Sequence, residues 1–258
     1  MAVLASDTEF YLEPEFRRLT TDTIPASVCF NADLVKPGNS YSFTHYNPPQ
    51  RLNEFSTSPG VKTVIRVPKI ERHANQPPDG RTRITYTQQM ETFAYTVSET
   101  GGVDEQFIDR RNIAHDVLVD TRNNSTAVTR LDYDYPDESN FNSTTIFSPE
   151  QVFNSDLEHG ERFETQYLRT VTDRNDQIAE QEDVSLTYTY MGVETLTLHD
   201  VGEVKACRFE LLRETDNHAS VSYIWHHVGS GIPLRIGGVT PGTYFETREA
   251  SVNSKSVF

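Results

Sequence analysis

Ser185-Leu186-Thr187-Tyr188-Thr189-Tyr190 alternates strictly, with Leu186, Tyr188 and Tyr190 on one side and Ser185, Thr187 and Thr189 on the other. A period of two is that of a β-strand with one buried and one wetted face. The same pattern recurs outward from this stretch. Ile84, Tyr86, Gln88 and Met90 oppose Thr85, Thr87 and Gln89, and Leu196 and Leu198 oppose Thr195 and Thr197. Within residues 205–211, Cys207, Phe209 and Leu211 share a face, which puts the sulfur on the core side. These are half-buried antiparallel strands.

Helical signals are sparse. Residues 7–19 allow a short helix interrupted by Pro14. Ser148 at an N-cap, Pro149 in the first turn and Gln151 three residues on predict a short helix over 149–154.

The chain also echoes itself. Gly38-Asn39-Ser40-Tyr41 with the later Ile84-Thr85-Tyr86-Thr87 returns as Gly160-Glu161-Arg162-Phe163 with Leu186-Thr187-Tyr188-Thr189. Read as a duplication, the echo gives an N-terminal segment at 1–28, a first β-unit at 29–135, a connection with its short helix at 136–157 and a second β-unit at 158–258. The two units can form one continuous domain. The longer spacing of the first copy falls on Asn47-Pro48-Pro49, Ser58-Pro59-Gly60 and Gln76-Pro77-Pro78-Asp79-Gly80, which read as turns in an inserted loop or hairpin.

Composition excludes several function classes. Lys plus Arg is 23 against 38 acidic residues, a formal net charge of −15, so the basic surface that displaces counterions from nucleic acid is missing. No apolar stretch reaches the ~20 residues of a membrane-spanning helix. Residues 1–5 are too short, and lack the charged start, to form a signal peptide. Hydrophobic residues make up 36%, with Thr, Asn, Asp and Glu filling the wetted faces of the strands. This acidic, Lys-poor β-composition reads as extracytoplasmic, periplasmic or secreted. The two cysteines, Cys29 and Cys207, allow a disulfide between the halves or two buried free thiols. Asn123-Asn124-Ser125, Asn124-Ser125-Thr126 and Asn142-Ser143-Thr144 fit the glycosylation pattern.

The densest local cluster is Tyr223-Ile224-Trp225-His226-His227, followed by Val228-Gly229-Ser230-Gly231-Ile232-Pro233-Leu234. On a strand, Tyr223, Trp225 and His227 share one face and Ile224, His226 and Val228 the other, so the adjacent histidines cannot enter one metal sphere without a bulge. The first set reads either as the wall of an aromatic groove or as an amphipathic core strand. The eight histidines include neither His-x-x-x-His nor His-Glu-x-x-His. Neither a Gly-x-Ser-x-Gly elbow nor a phosphate-binding Gly loop is found, and Gly101-Gly102 and Gly237-Gly238 read as hairpin turns. No catalytic residue, metal ligand or cofactor is therefore predicted.

Val201-Gly202-Glu203-Val204-Lys205-Ala206-Cys207-Arg208-Phe209, with the strand from Trp225 to Leu234, resembles the bacterial extracytoplasmic DUF3108/TapB-like β-proteins. Gly202, Ala206 and Arg208, then Trp225, Gly231, Ile232 and Pro233, carry the likeness. Cys29 with Leu34, Pro37 and Gly38 fits the start of such a unit. The resemblance implies curved antiparallel sheets or partial barrels of the cell envelope, with no catalytic residues to carry over.

The expectation is thus an all-β chain: a strongly curved antiparallel sheet, partial barrel or sandwich. Its function is expected to be the binding of an apolar small molecule, a glycan or an envelope protein in an aromatic-lined groove. Tyr223, Trp225 and His227 would form one strand of that groove, with Tyr188 and Tyr190 from neighbouring strands. The alternatives are a hydrolase or metal-dependent enzyme using His226 or His227, and a structural envelope component.

Overall fold

A computed structural model describes residues 24–48, 50–53, 56–97, 102–238 and 243–258. The expected helix over 7–19 and the expected turn at Gly101 lie outside these residues. Sixteen strands follow in chain order: β1 (Tyr41–Asn47), β2 (Gln50–Asn53), β3 (Ser56–Ser58), β4 (Gly60–Val67), β5 (Ile70–Arg72), β6 (Thr82–Val97), β7 (Val103–Asp120) and β8 (Ser125–Asp134). After them come β9 (Ser143–Asn154), β10 (Arg162–Asp173), β11 (Ile178–Leu198), β12 (Gly202–Thr215), β13 (His218–His227), β14 (Pro233–Gly237), β15 (Tyr244–Val252) and β16 (Lys255–Ser256). The described helices are single 3-10 turns at Ala26–Cys29, Ala32–Leu34 and Ser139–Phe141.

The sheet runs β1-β4-β6-β7-β8-β9-β10-β11-β12-β13-β14-β15, and β15 pairs back onto β1, so twelve antiparallel strands close into a barrel. The seam is a full ladder: Tyr41 lies opposite Val252 and Phe43 opposite Ala250. β5 and β16 add short pairings to β6 and β15, and β2 and β3 form a separate hairpin. The first half of the echoed sequence leads into β1 and lies within β6, with β4 between them; the second leads into β10 and lies within the adjacent β11.

One correction concerns 149–154. These residues continue β9, where four residues of β9, 147–150, face the single Thr129 between the pairs Val128–Gln151 and Arg130–Ile146. Pro149 sits in that bulge, where a missing N–H breaks no ladder bond, so the Ser-Pro pair that resembles a helix start marks a strand irregularity. The expected 136–157 connection is therefore mostly barrel wall, and the turn proper spans 135–142.

Contacts between strands that are not neighbours identify the inside. Phe153 of β9 packs on Tyr188 of β11, Phe209 of β12 and His226 of β13, at 5.0, 5.3 and 5.6 Å between ring centroids. The face carrying Tyr188, Phe209 and His226 therefore looks into the lumen. Opposite parity puts charge outside: Lys62 pairs with Glu105, Arg83 with Asp116, and Glu91 with both Arg66 and Arg110. A lipid-facing barrel would need an apolar band there.

Residues 24–38 cross one end of the lumen. Ala26 and Cys29 pack against Tyr190, Cys207 and Phe209 on one wall, while Phe30 and Val35 pack against Val67, Ile70, Ile84 and Val117 on the other. Cys29 and Cys207 form a disulfide with Cα atoms 6.1 Å apart. The Gly229 and Ala26 amides donate to Val28 O and Leu157 O, each at 2.9 Å. Gly231 passes so close that a Cβ would lie 2.9 Å from Cys29 O, and its φ of +67° already favours glycine. This end is plugged, and the opposite end carries the β10–β11 and β12–β13 turns.

Candidate functional site

Toward the unplugged end the lumen holds a cavity of about 580 Å³, walled by β9 to β13. Its residues follow from strand parity. Tyr188 and Leu186 continue inward along β11 to Glu182 and Glu180, and the run from Cys207 through Phe209 and Leu211 reaches Arg213. Tyr167 and Arg169 do the same on β10, with Ser220 and Ser222 on β13. Phe147 and Tyr167 meet edge to face at 5.4 Å, forming an aromatic side.

The polar side is an ion network. Arg169 Nη1 lies 2.9 Å from both Glu180 Oε1 and Glu182 Oε1, and Arg213 donates to the same Glu182 oxygen. The two cations and two anions cancel. Burial opposes the Arg169 charge, but Glu180 and Glu182 outweigh it and hold its pKa above the usual value. The Tyr188 hydroxyl, bonded to Gln151, and the Tyr167 hydroxyl have pKa values raised chiefly by burial, so both keep their protons. Across the ladder, Ser220 faces Arg213 and Ser222 faces Leu211. Among the described residues neither serine hydroxyl has a hydrogen-bond partner. The cavity thus offers flat rings, a neutral fork of charged donors and acceptors, and free hydroxyls.

The five residues expected to line a groove are divided by the wall. Tyr188 lines the cavity. Tyr190 is fully buried nearer the plug, its hydroxyl donating to Ile24 O at 2.9 Å. Tyr223, Trp225 and His227 are on the outer face. There Arg208 stacks 4.5 Å from the Tyr223 ring and 5.4 Å from Trp225, whose indole N–H donates to Glu194. His227 bonds Ser230 Oγ at 2.8 Å and packs against Phe258, while His226 points inward and bonds Gly231 O through Nδ1 at 2.9 Å. The adjacent histidines therefore serve opposite faces, and neither borders the cavity.

Sequence reasoning missed Arg169, Glu180, Glu182, Arg213, Ser220 and Ser222. The signal was present for Glu180, Glu182, Arg213, Ser220 and Ser222, each with the inward parity of a recognised apolar set, extended past the point where its apolar residues stop; Arg169 lies on β10, whose pattern was not singled out. Charge at the end of a strand reads as the polar rim of a core until barrel closure shows that the rim encloses a space.

Comparison with known proteins returns no match: no family model, no curated protein and no solved structure matches this chain.

Proposed function

We propose that this barrel is a non-enzymatic binding protein that holds a small polyhydroxylated, sugar-like molecule in its lumen. The observation that carries this reading is the union, in one cavity of about 580 Å³, of aromatic walls, a charge-cancelled Arg–Glu network and unpartnered serine hydroxyls. Ligand cavities commonly measure ~300–1,000 Å³ and combine an apolar wall with a few placed polar groups. A ring with one apolar face and a rim of hydroxyls fits both sides. An apolar ligand would leave Arg213, Ser220 and Ser222 desolvated without new bonds, at a cost of ~1–3 kcal/mol per group. A periplasmic or secreted setting, as the resemblance to extracytoplasmic β-proteins implies, is supported by the Cys29–Cys207 disulfide, because such bonds persist in oxidising compartments.

The test is calorimetric titration with a panel of mono- and disaccharides. At least one is expected to bind with a Kd between ~1 μM and ~1 mM. Ser222→Phe, which fills the cavity from a half-buried lumen position, should weaken that binding at least ~10-fold. A panel without binding, or binding that survives the filled cavity, refutes the reading.

A further inference from the structure

The β11–β12 hairpin is longer than its neighbour. Pairing between β12 and β13 ends at Ala206–His227, and beyond it residues 195–205 continue as an arm. A bulge between Tyr190 and Gly192 redirects the arm over the outer face of β13 to β15. Leu196 and Leu198 pack there with Trp225 and Leu234, and the His199 amide donates to Glu246 Oε1 at 2.8 Å. Between the arm's tip and the wall lies a groove of about 820 Å³, reaching Tyr46, Tyr95, Tyr244, Arg235 and Arg248.

The two arginines differ. Arg235 is engaged through one nitrogen: it pairs with Glu246 at 2.8 Å and stacks 4.3 Å from the Tyr244 ring, although its Nε, like that of Arg248, is buried without a partner. Arg248 lies 4.6 Å from the Tyr46 ring with its side chain only 20% exposed, yet among the described residues it makes no hydrogen bond, and its Nε is buried without a partner. The nearest carboxylate, Asp200 Oδ2, is 3.6 Å from Nη1 on a side chain 69% exposed. A mostly buried guanidinium with no hydrogen bond is an unfilled requirement for an oxyanion. The surrounding Tyr46, Tyr95, Tyr244, Leu198 and Val201 supply flat and apolar surface for what the oxyanion is attached to.

We propose that this outer groove is a second binding site, independent of the lumen, for a small organic carboxylate with an aromatic or aliphatic body. The carboxylate pairs with Arg248 in place of the loosely held, exposed Asp200, and the body lies on Tyr46, Tyr95 and Tyr244. The neutral Tyr46 ring above Arg248 accepts no hydrogen bond from it and leaves its N–H groups for the ligand, while Arg235 remains engaged with Glu246 and holds the arm in place.

Titration of the full chain with phenylacetate, 2-phenylethanol and inorganic phosphate tests this. Phenylacetate is expected to bind saturably, with the alcohol and phosphate each at least ~10-fold weaker, as one charge-assisted pair implies. Arg248→Gln should lower phenylacetate affinity by a similar factor, and Asp200→Asn, a change at an exposed position, should raise it. Equal binding of the alcohol, equal binding of phosphate, no saturable binding, or indifference to both substitutions overturns the proposal.

Discussion

His45 lies on the inner face of β1, 7% exposed, with its ring 4.7 Å from Phe43 and 6.3 Å from Phe245. Burial lowers its pKa from 6.5 to about 4, with the Pro233 carbonyl opposing the drop only in part. His115, stacked on Tyr86 at 4.6 Å, is lowered to about 4 by burial as well. In the window between those values the unfolded chain binds protons that the folded chain refuses. Stability is therefore fully present above pH 6.5 and is lost as pH falls toward 4. For each ring the loss reaches on the order of 3 kcal/mol by pH 4. His226 and His227, whose pKa values burial also lowers, add to the same window, so His45→Phe should reduce, but not abolish, the acid sensitivity measured as the change in urea-unfolding free energy between pH 7 and pH 4.5. An unchanged pH slope would clear His45 of the effect. None of this was legible from composition, because a histidine becomes a buried base only through neighbours that distant strands bring to it.

At the scale of elements, the plug and the arm are what the sequence conveyed least. Period two located the strands around Tyr86, Tyr188 and Phe209, and parity correctly placed Cys207 on the core side. It could not reveal that residues 24–38 fold back into the lumen, because that segment has no period and its partners, from Val67 through Leu157 to Gly229, are scattered along the chain. Nor could it reveal the bulge after Tyr190, which shifts parity so that Leu196 and Leu198 face outward while Tyr188 and Tyr190 face inward. Register split the expected groove: Tyr188 aligns through Leu211 with Ser222 and Tyr190 through Phe209 with Ile224, which leaves Tyr223, Trp225 and His227 on the opposite face. The disulfide joins the plug to β12 across a separation of 178 residues. Removing it with Cys29→Ser and Cys207→Ser should cost ~4–5 kcal/mol on the loop-entropy estimate. Equilibrium urea unfolding under non-reducing conditions measures that loss, and a variant within ~1 kcal/mol of the parent would show that plug packing alone supplies the restraint.

For the whole molecule, closure is the property that alternation implied without proving. A chain of half-buried antiparallel strands satisfies an open curved sheet, a sandwich or a barrel equally well, and only the β1–β15 ladder decides between them. A closed barrel has no edge strand. Native-state hydrogen exchange should therefore find the amides of β1 and mid-β15 protected as strongly as those of central β10 and β11. Exchange from β1 at least ~100-fold faster than from β10 would mean that the seam is open. Closure also explains why the candidate cavity escaped sequence reading: its residues are ordinary strand-end charges until the wall curves round them.

The seam also fixes the direction in which the molecule faces. Ile24 lies against Tyr190 beside the plug, and at the far end of the chain the Val257 amide donates to Ala250 O while Phe258 packs on His227. Both ends of the described chain thus leave from the plugged pole. Any tether joined there, before or after the barrel, would moor the molecule by its base and turn the open mouth, with its rings and free hydroxyls, toward the surroundings.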